Sequence, residues 1–193
     1  MRFRFICATL LLTLPLAAMP AVAQQQLNAS QLAAGLAGMD TAPPGITATL
    51  LRQQAEANIR NNLYSNPLNR PPLSADLSRL AQITVVVDFD FGSARIRPQS
   101  YRTVGVIADA LYSPQLQGYK FLVIGNTDAV GGRAANLTLS QKRADAIRDA
   151  LINPFGINPA RIQAVGLGEE QLLDPAHPDA AANRRVQLIN MGK

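Results

Sequence analysis

The stretch FLVIGNTDAVGGRAANLTLSQKRADAIRDAL (residues 121–151) decides the fold of this chain. It begins with FLVIG, a run without polar side chains that is typical of a strand covered on both faces. Polar residues and two glycines follow, which predicts a turn. A helix is then expected from about residue 137 to 151, with Asn136 as its N-cap. The apolar stripe of this helix consists of Ala144, Ile147 and Leu151.

The preceding stretch predicts another strand and another helix. ITVVVDFDF (83–91) indicates a strand, because its end alternates between apolar and acidic residues. Val87, Phe89 and Phe91 are expected on one face and Asp88 and Asp90 on the other. Pro98 suits the first turn of the helix that follows. The stripe of that helix consists of Tyr101, Val104, Ile107, Ala108 and Leu111.

Two more strands complete the pattern. GINPARIQAVGLG (156–168) reads as a turn and a strand, and RRVQLIN (184–190) as a closing strand with Val186 and Leu188 in the core. The order strand–helix–strand–helix–strand–strand predicts an α/β (α+β) sandwich with helices on one face of a mixed sheet.

The first 23 residues are predicted to be a cleaved signal peptide. Arg2 and Arg4 precede the apolar run ICATLLLTLPLAAMP, and Ala21-Val22-Ala23 places the cut before Gln24. An uncleaved anchor is the alternative interpretation. Cys7, the only cysteine, lies in this segment. The mature chain is therefore expected to have no disulfide, thiol nucleophile or thiolate metal site. No second long apolar run follows, so no transmembrane span is expected in it either.

Residues 24–80 are predicted to form an N-terminal appendage to a domain at 81–193. ITATLLRQQAEANIRNNLY (46–64) is expected to be a helix, and SNPLNRPPLS (65–74) a proline-rich linker. The helix has a loose apolar stripe of Ile46, Leu50, Leu51 and Ile59. The appendage is either a tether without activity of its own or the binding site for an outer-membrane or periplasmic protein.

The composition excludes several functions. Without Arg2 and Arg4, 16 basic and 13 acidic residues leave a net charge of +3, with no basic cluster around aromatic residues and no tryptophan. We therefore expect no nucleic-acid partner. His177 stands alone between prolines, so no metal site is predicted. Gly166-Leu167-Gly168 lacks the third glycine of a dinucleotide loop, and we expect no cofactor.

No catalytic constellation can be assembled either. Ser140 lacks the surroundings of an activated nucleophile, and we expect it to have a role in its helix instead. Glu169 and Glu170 are neighbours along the chain, which does not suit a glycosidase acid pair. We expect them in a solvated loop and predict that the protein is not an enzyme.

The loop after FLVIG instead indicates a binding site for a small zwitterion. Asp128 follows the carboxyl end of a buried strand, where ligand sites in α/β sheets gather. Arg143 lies on the next helix. Asp128 would accept from an ammonium group, and Arg143 would bind a carboxylate in a bidentate pair. The alternative is that these two side chains only pair with each other.

Five motifs in register resemble the OmpA-like peptidoglycan-binding domain family. They are FDFGSARIRP, GNTDAVGG, NLTLSQKRADAI, RIQAVGLGE and NRRV, and the resemblance covers about residues 83–190. It implies a βαβαβ-type fold and non-covalent binding of peptidoglycan through the diaminopimelate residue of the stem peptide. The residues that match the family's ligand-binding positions are Phe89, Asp90, Asp128, Asn136, Leu139, Arg143 and Arg185.

The resemblance also implies a location and a role. A peptidoglycan-binding protein with a signal peptide is expected in the periplasm of a Gram-negative bacterium, associated with the outer membrane or the cell wall, as a structural or adaptor protein. Three departures from the family pattern point to the alternative, an interaction module that keeps the fold without binding peptidoglycan. They are Asn126 in place of the usual histidine, Ala180-Ala181-Ala182 before NRR, and Gln171-Leu172 without the usual proline.

Overall fold

The computed structural model describes residues 28–38 and 46–193. The predicted signal peptide, its cleavage site and Cys7 lie outside these residues. Within them, no helix combines the length and the apolar character needed to cross a membrane.

Four strands form one mixed sheet. They are β1 (Gln82–Val85), β2 (Phe121–Asn126), β3 (Ile162–Gly168) and β4 (Val186–Asn190), in the order β1-β4-β2-β3. β2 and β3 are parallel, whereas β4 is antiparallel to both β1 and β2. The mixed sheet and the α/β sandwich predicted from the sequence are confirmed.

Three helices cover one face of this sheet. They are α1 (Ala29–Leu36), α3 (Tyr101–Leu111) and α4 (Arg133–Ile152). The predicted stripes of α3 and α4 are buried in one core with Phe121 and Val123 of β2, except that Tyr101 is exposed. Pro98 starts a short 3-10 turn that continues into α3, as expected for a residue without a free backbone N–H.

The N-terminal segment covers the opposite face. Helix α2 (Ala48–Arg60) begins after Thr47, whose side chain accepts from the amide of Leu50. Leu51 and Ala55 of α2 pack with Leu122 and Ile124 of β2 in a second core, whereas Leu50 is exposed. The segment after α2 contributes Leu73, Leu77 and Leu80 to the same core. The residues predicted to form a linker therefore lead directly into packed structure.

Helix α4 approaches the sheet most closely at Gly166 and Gly125. A Cβ on Gly166 would lie 1.9 Å from the amide nitrogen of Gln141, and one on Gly125 would lie 2.5 Å from the carbonyl oxygen of Ser140. The Ser140 hydroxyl donates to the carbonyl oxygen of Leu137 in its own helix at 3.0 Å and accepts from the Gly168 amide of β3 at 2.8 Å. This contact fixes the start of α4 at the carboxyl ends of β2 and β3.

The predicted strand 83–91 is wrong beyond Val85. Val85 pairs with Val186, the first residue of β4, so the sheet offers no partner beyond this point. Residues 86–97 instead fold back on themselves: the amide of Arg97 donates to Asp88 and the amide of Asp90 to Arg95. Gly92, with a φ of 62°, makes this reversal possible. Phe91 is fully exposed as a result.

Candidate ligand-binding site

A cleft of about 570 Å³ lies between the loop after β2, the start of α4 and the reversed segment 86–97. Its position at the carboxyl end of a buried strand is the one expected from the topology. Five of the seven predicted site residues line it: Phe89, Asp128, Asn136, Leu139 and Arg143. The other lining residues are Phe91, Gly92, Arg97, Thr127, Val130 and Arg184.

Asp128 supplies the carboxylate of the cleft. The residue is only 9% exposed, and its Oδ2 accepts from Nη1 of Arg184 at 2.6 Å. Its Oδ1 accepts from the amide of Val130 at 3.3 Å, which holds the side chain within its own loop. The pairing with Arg143 that the sequence left open is not formed in the described part of the chain, where the ion-pair partner of Asp128 is Arg184.

Arg184 was missed because the sequence assignment chose its neighbour Arg185. In an extended chain, residues two positions apart share a face, so the sequence pattern places Arg184 on the side of Val186, which is predicted to lie in the core. This alternation is the signal in the sequence that could have identified Arg184 rather than Arg185 as the cleft residue. The side chain of Arg184 remains 50% exposed at the cleft.

Arg143 is held in place by the reversed segment. Its Nε donates to the carbonyl oxygen of Ser93 at 3.0 Å, and its guanidinium carbon lies 4.9 Å from the centre of the Phe89 ring. Burial lowers the pKa of Arg143, the charge of Asp128 opposes that shift and the charge of Arg184 adds to it. Among the residues that the structure describes, no partner occupies the two Nη atoms of Arg143, which can make a bidentate contact with a carboxylate.

Asn136 is not the N-cap of α4, which corrects the sequence prediction. The helix begins one turn earlier, at Arg133, with Gly132 in the cap position. The Asn136 side chain instead donates to the carbonyl oxygens of Asp128 at 3.2 Å and Val130 at 3.3 Å. It therefore fixes the shape of the loop that carries Asp128.

Two predicted site residues lie outside the cleft lining. Asp90 pairs with Arg95 at 2.5 Å and with Arg97 at 3.4 Å. The hydrogen bond from Arg95 lowers the pKa of Asp90, and this effect outweighs the desolvation that raises the pKa.

Arg185 is buried and donates through Nη2 to the carbonyl oxygen of Gln171 at 2.9 Å. Burial lowers the pKa of Arg185 to about 10, so the group stays charged at neutral pH.

Glu169 and Glu170 are buried, which corrects the prediction of a solvated loop. Glu170 accepts two hydrogen bonds from Arg133, at 2.9 and 2.7 Å. Glu169 accepts from the Asn136 amide at 2.7 Å and pairs with Arg70 at 3.3 Å. The local sequence could not show this burial, because Arg70 lies 99 residues away along the chain.

Within residues 28–38 and 46–193, no three His, Cys, Asp or Glu side chains are grouped so that they could hold a metal ion. His177 is exposed and contacts only the Asp174 carboxylate among the ionic groups described, at 2.9 Å. The cleft itself offers one carboxylate, guanidinium groups and apolar walls. This arrangement can bind a small zwitterion beside a hydrophobic surface.

Comparison with known proteins identifies relatives of this domain. The profile of the OmpA family matches residues 88–185, just over half of the chain. The outer membrane porin F of Pseudomonas aeruginosa is 35% identical over 113 residues, which cover 58% of this chain and 32% of the porin. The peptidoglycan-associated lipoprotein of Pseudomonas putida is 30% identical over 124 residues, which cover 62% of this chain and 72% of the lipoprotein.

The match to the porins is partial, since the chain spans about a third of the length of the first porins that it matches. Among solved structures, the periplasmic domain of Helicobacter pylori MotB is similar with a TM-score of 0.50 at 18% identity. The similarity covers 58% of this chain and 82% of that domain. At this identity the likeness concerns the fold alone.

Proposed function

This chain belongs to the OmpA family, and we propose that it binds peptidoglycan non-covalently through the diaminopimelate residue of the stem peptide. The observation that carries the proposal is the meeting of Asp128 and Arg143 in one cleft. The named relatives are outer-membrane and peptidoglycan-associated proteins. We propose binding alone, without a catalysed reaction.

The end of the diaminopimelate side chain fits the two charged groups of the cleft. This end carries an ammonium and a carboxylate on one carbon, so it requires an acceptor and a cation side by side. Asp128 would accept from the ammonium, and Arg143 would bind the carboxylate with the nitrogens that Ser93 does not use. Leu139 and Phe89 line the cleft and would contact the methylene groups of the ligand.

The same arrangement would discriminate between cell-wall types. Lysine ends in an ammonium group without a neighbouring carboxylate. A lysine-type stem peptide would cover Arg143 without pairing it, and a charged group that loses water without gaining a partner costs binding free energy. We therefore propose that the protein prefers diaminopimelate-type peptidoglycan.

Co-sedimentation with purified diaminopimelate-type sacculi tests the proposal. The protein from Gln24 onward should pellet with the sacculi, whereas Asp128→Ala and Arg143→Ala should stay in solution. Arg148→Ala is a matched control, because Arg148 lies on the same helix and its Nε also donates to a carbonyl, that of Ile162. All variants are first compared by thermal melting. Loss of binding in the Arg148 variant as well would contradict the assignment of the cleft.

An interaction module without peptidoglycan binding is the second candidate. The observation in its favour is Asn126, which replaces the family's usual histidine and is buried with its amide donating to Gln187 at 3.0 Å. In that case the wild-type protein would also stay in solution in the sacculus experiment.

The location and the partner are part of the proposal. We place the protein in the periplasm of a Gram-negative bacterium, as expected from the predicted signal peptide and from the envelope proteins to which it is similar. We also propose that another envelope protein binds to residues 24–80. Leu63, Tyr64 and Leu68 of this segment are exposed apolar side chains that such a contact would cover.

A further inference from the structure

Arg70, in the N-terminal segment, reaches the base of the candidate site. It lies outside the residues that the OmpA profile matches. Only 4% of its side chain is exposed, and its Nη1 donates to the carbonyl oxygen of Glu169. Its guanidinium group also lies 3.3 Å from the Glu169 carboxylate and 3.7 Å from that of Glu170.

Glu169 connects Arg70 to a residue of the cleft. While Oε1 faces Arg70, Oε2 accepts from the Asn136 amide at 2.7 Å. The same amide group donates to the carbonyl oxygen of Asp128. Arg70, Glu169, Asn136 and the Asp128 loop therefore form one continuous series of hydrogen bonds.

Arg70 has no substitute in this series. A buried carboxylate requires charged or hydrogen-bonding partners to remain in place. Glu170 has the bidentate contact with Arg133, whereas Arg70 is the one ion-pair partner of Glu169 among the residues that the structure describes. Without Arg70, the Glu169 carboxylate would turn toward another donor or toward water, and Asn136 would lose its shortest hydrogen bond.

We propose that Arg70 is a positioning residue for ligand binding, which makes the N-terminal segment part of the site. The inference rests on the proposed binding of diaminopimelate. Arg70 acts through Glu169 and Asn136 on the loop that carries Asp128. A protein that binds residues 46–80 and displaces Arg70 would therefore weaken the attachment to peptidoglycan.

Arg52 offers a control from the same segment. Its Nη1 donates to the carbonyl oxygens of Leu137 and Gly166, at 3.0 and 3.3 Å, so it also joins the segment to α4 and β3. It has no hydrogen bond to Glu169 or to the Asn136 side chain in the structure as described. Replacing it removes a guanidinium contact of the same kind without breaking the series.

The experiment compares Arg70→Gln with Arg52→Gln in the protein from Gln24 onward. Calorimetric titration uses the tripeptide L-Ala-γ-D-Glu-meso-diaminopimelate, and NMR follows the side-chain amide of Asn136 in the ligand-free protein. We expect Arg70→Gln to bind about fivefold more weakly and to shift the Asn136 amide signals, because coupled contacts of this kind carry on the order of 1 kcal/mol. Arg52→Gln should do neither.

Each outcome decides a different point. Equal affinities of folded Arg70→Gln and Arg52→Gln would overturn the positioning role of Arg70. Absence of tripeptide binding by the wild-type protein would overturn the proposed function, and the inference about affinity with it. If Arg70→Gln does not fold, Arg70→Lys replaces it. That variant keeps the charge but replaces the guanidinium fork with a single nitrogen, so it should still weaken binding and shift the Asn136 signals.

Discussion

Two carboxylate–guanidinium systems lie on either side of Asn136, and they differ in burial. In the first, Glu169 and Glu170 are enclosed with Arg70 and Arg133, whose side chains are 4% and 16% exposed. In the second, Asp128 pairs with Arg184, which is 50% exposed at an open cleft. Carboxylate–guanidinium pairs therefore occur in this protein both in an enclosed environment and at the surface of a cleft.

Burial decides which system can exchange its partners. Breaking an enclosed ion pair leaves a charge without water, whereas a charge at an open cleft is readily solvated. The enclosed system is suited to holding the N-terminal segment, α4 and the end of β3 together. In the open system, Asp128 can exchange its contact with Arg184 for a contact with a ligand. The enclosed system is therefore suited to a structural role, and the open system to ligand binding.

The largest effect is expected for Glu170→Gln. This change removes the charge that Arg133 and Arg70 share in the enclosed system, and it should lower the free energy of unfolding by about 3 kcal/mol. Urea denaturation at neutral pH measures the change. Asp76→Asn, which affects the exposed pair with Arg79, is the control and should cost less than about 0.5 kcal/mol. Similar losses in both variants would show that burial does not set the cost of breaking an ion pair in this protein.

A smaller effect is expected for Arg184→Ala, which breaks the open system. Only half of the Arg184 side chain is buried, but the Asp128 side chain is just 13% exposed. Water can reach the cleft and the Val130 amide still holds Asp128, so the free energy of unfolding should fall by about 1 kcal/mol, less than for Glu170→Gln. The same urea experiment provides the test. A loss as large as that of Glu170→Gln would show that the cleft pair is structural rather than exchangeable.

The smallest effect concerns Asp90, whose partners Arg95 and Arg97 are on the surface. Its pKa is lowered in the folded protein, so its pairing stabilises the fold above the unfolded pKa of about 3.9. This contribution is lost as the pH falls through the lowered pKa. Melting temperatures of wild-type protein and Asp90→Asn should differ slightly at pH 6 and converge at low pH. A difference that widens in acid would contradict this sign.

Local sequence patterns were sufficient for the centre of the fold. The apolar run at β2 and the stripe of α4 predicted adjacent elements, and their connection placed Asp128 and Arg143 at the same edge of the sheet. Local patterns failed where the length of an element depends on the neighbouring strand with which it pairs. The strand at 83–91 ends at Val85 because β4 begins at Val186. No local pattern could show that limit.

The enclosed system was missed for the same physical reason. Glu169 and Glu170 look like residues of a solvated loop unless Arg70 and Arg133 are known to lie beside them. Asn136 has the character of an N-cap, yet its amide is used by Glu169 and the Asp128 loop. The contacts of Glu169 with Arg70 and Asn136 join residues that are 99 and 33 positions apart, which neither periodicity nor spacing reveals.

The most direct test of the account is an NMR titration that follows the Nε–H signal of Arg143. The ligands are the meso-diaminopimelate tripeptide and the same tripeptide with lysine in its place. We predict a saturable shift with the diaminopimelate peptide and a much weaker response to the lysine peptide, because only the former pairs its distal carboxylate with Arg143. Equal responses to both peptides, or no response to either, would contradict the proposed recognition of diaminopimelate.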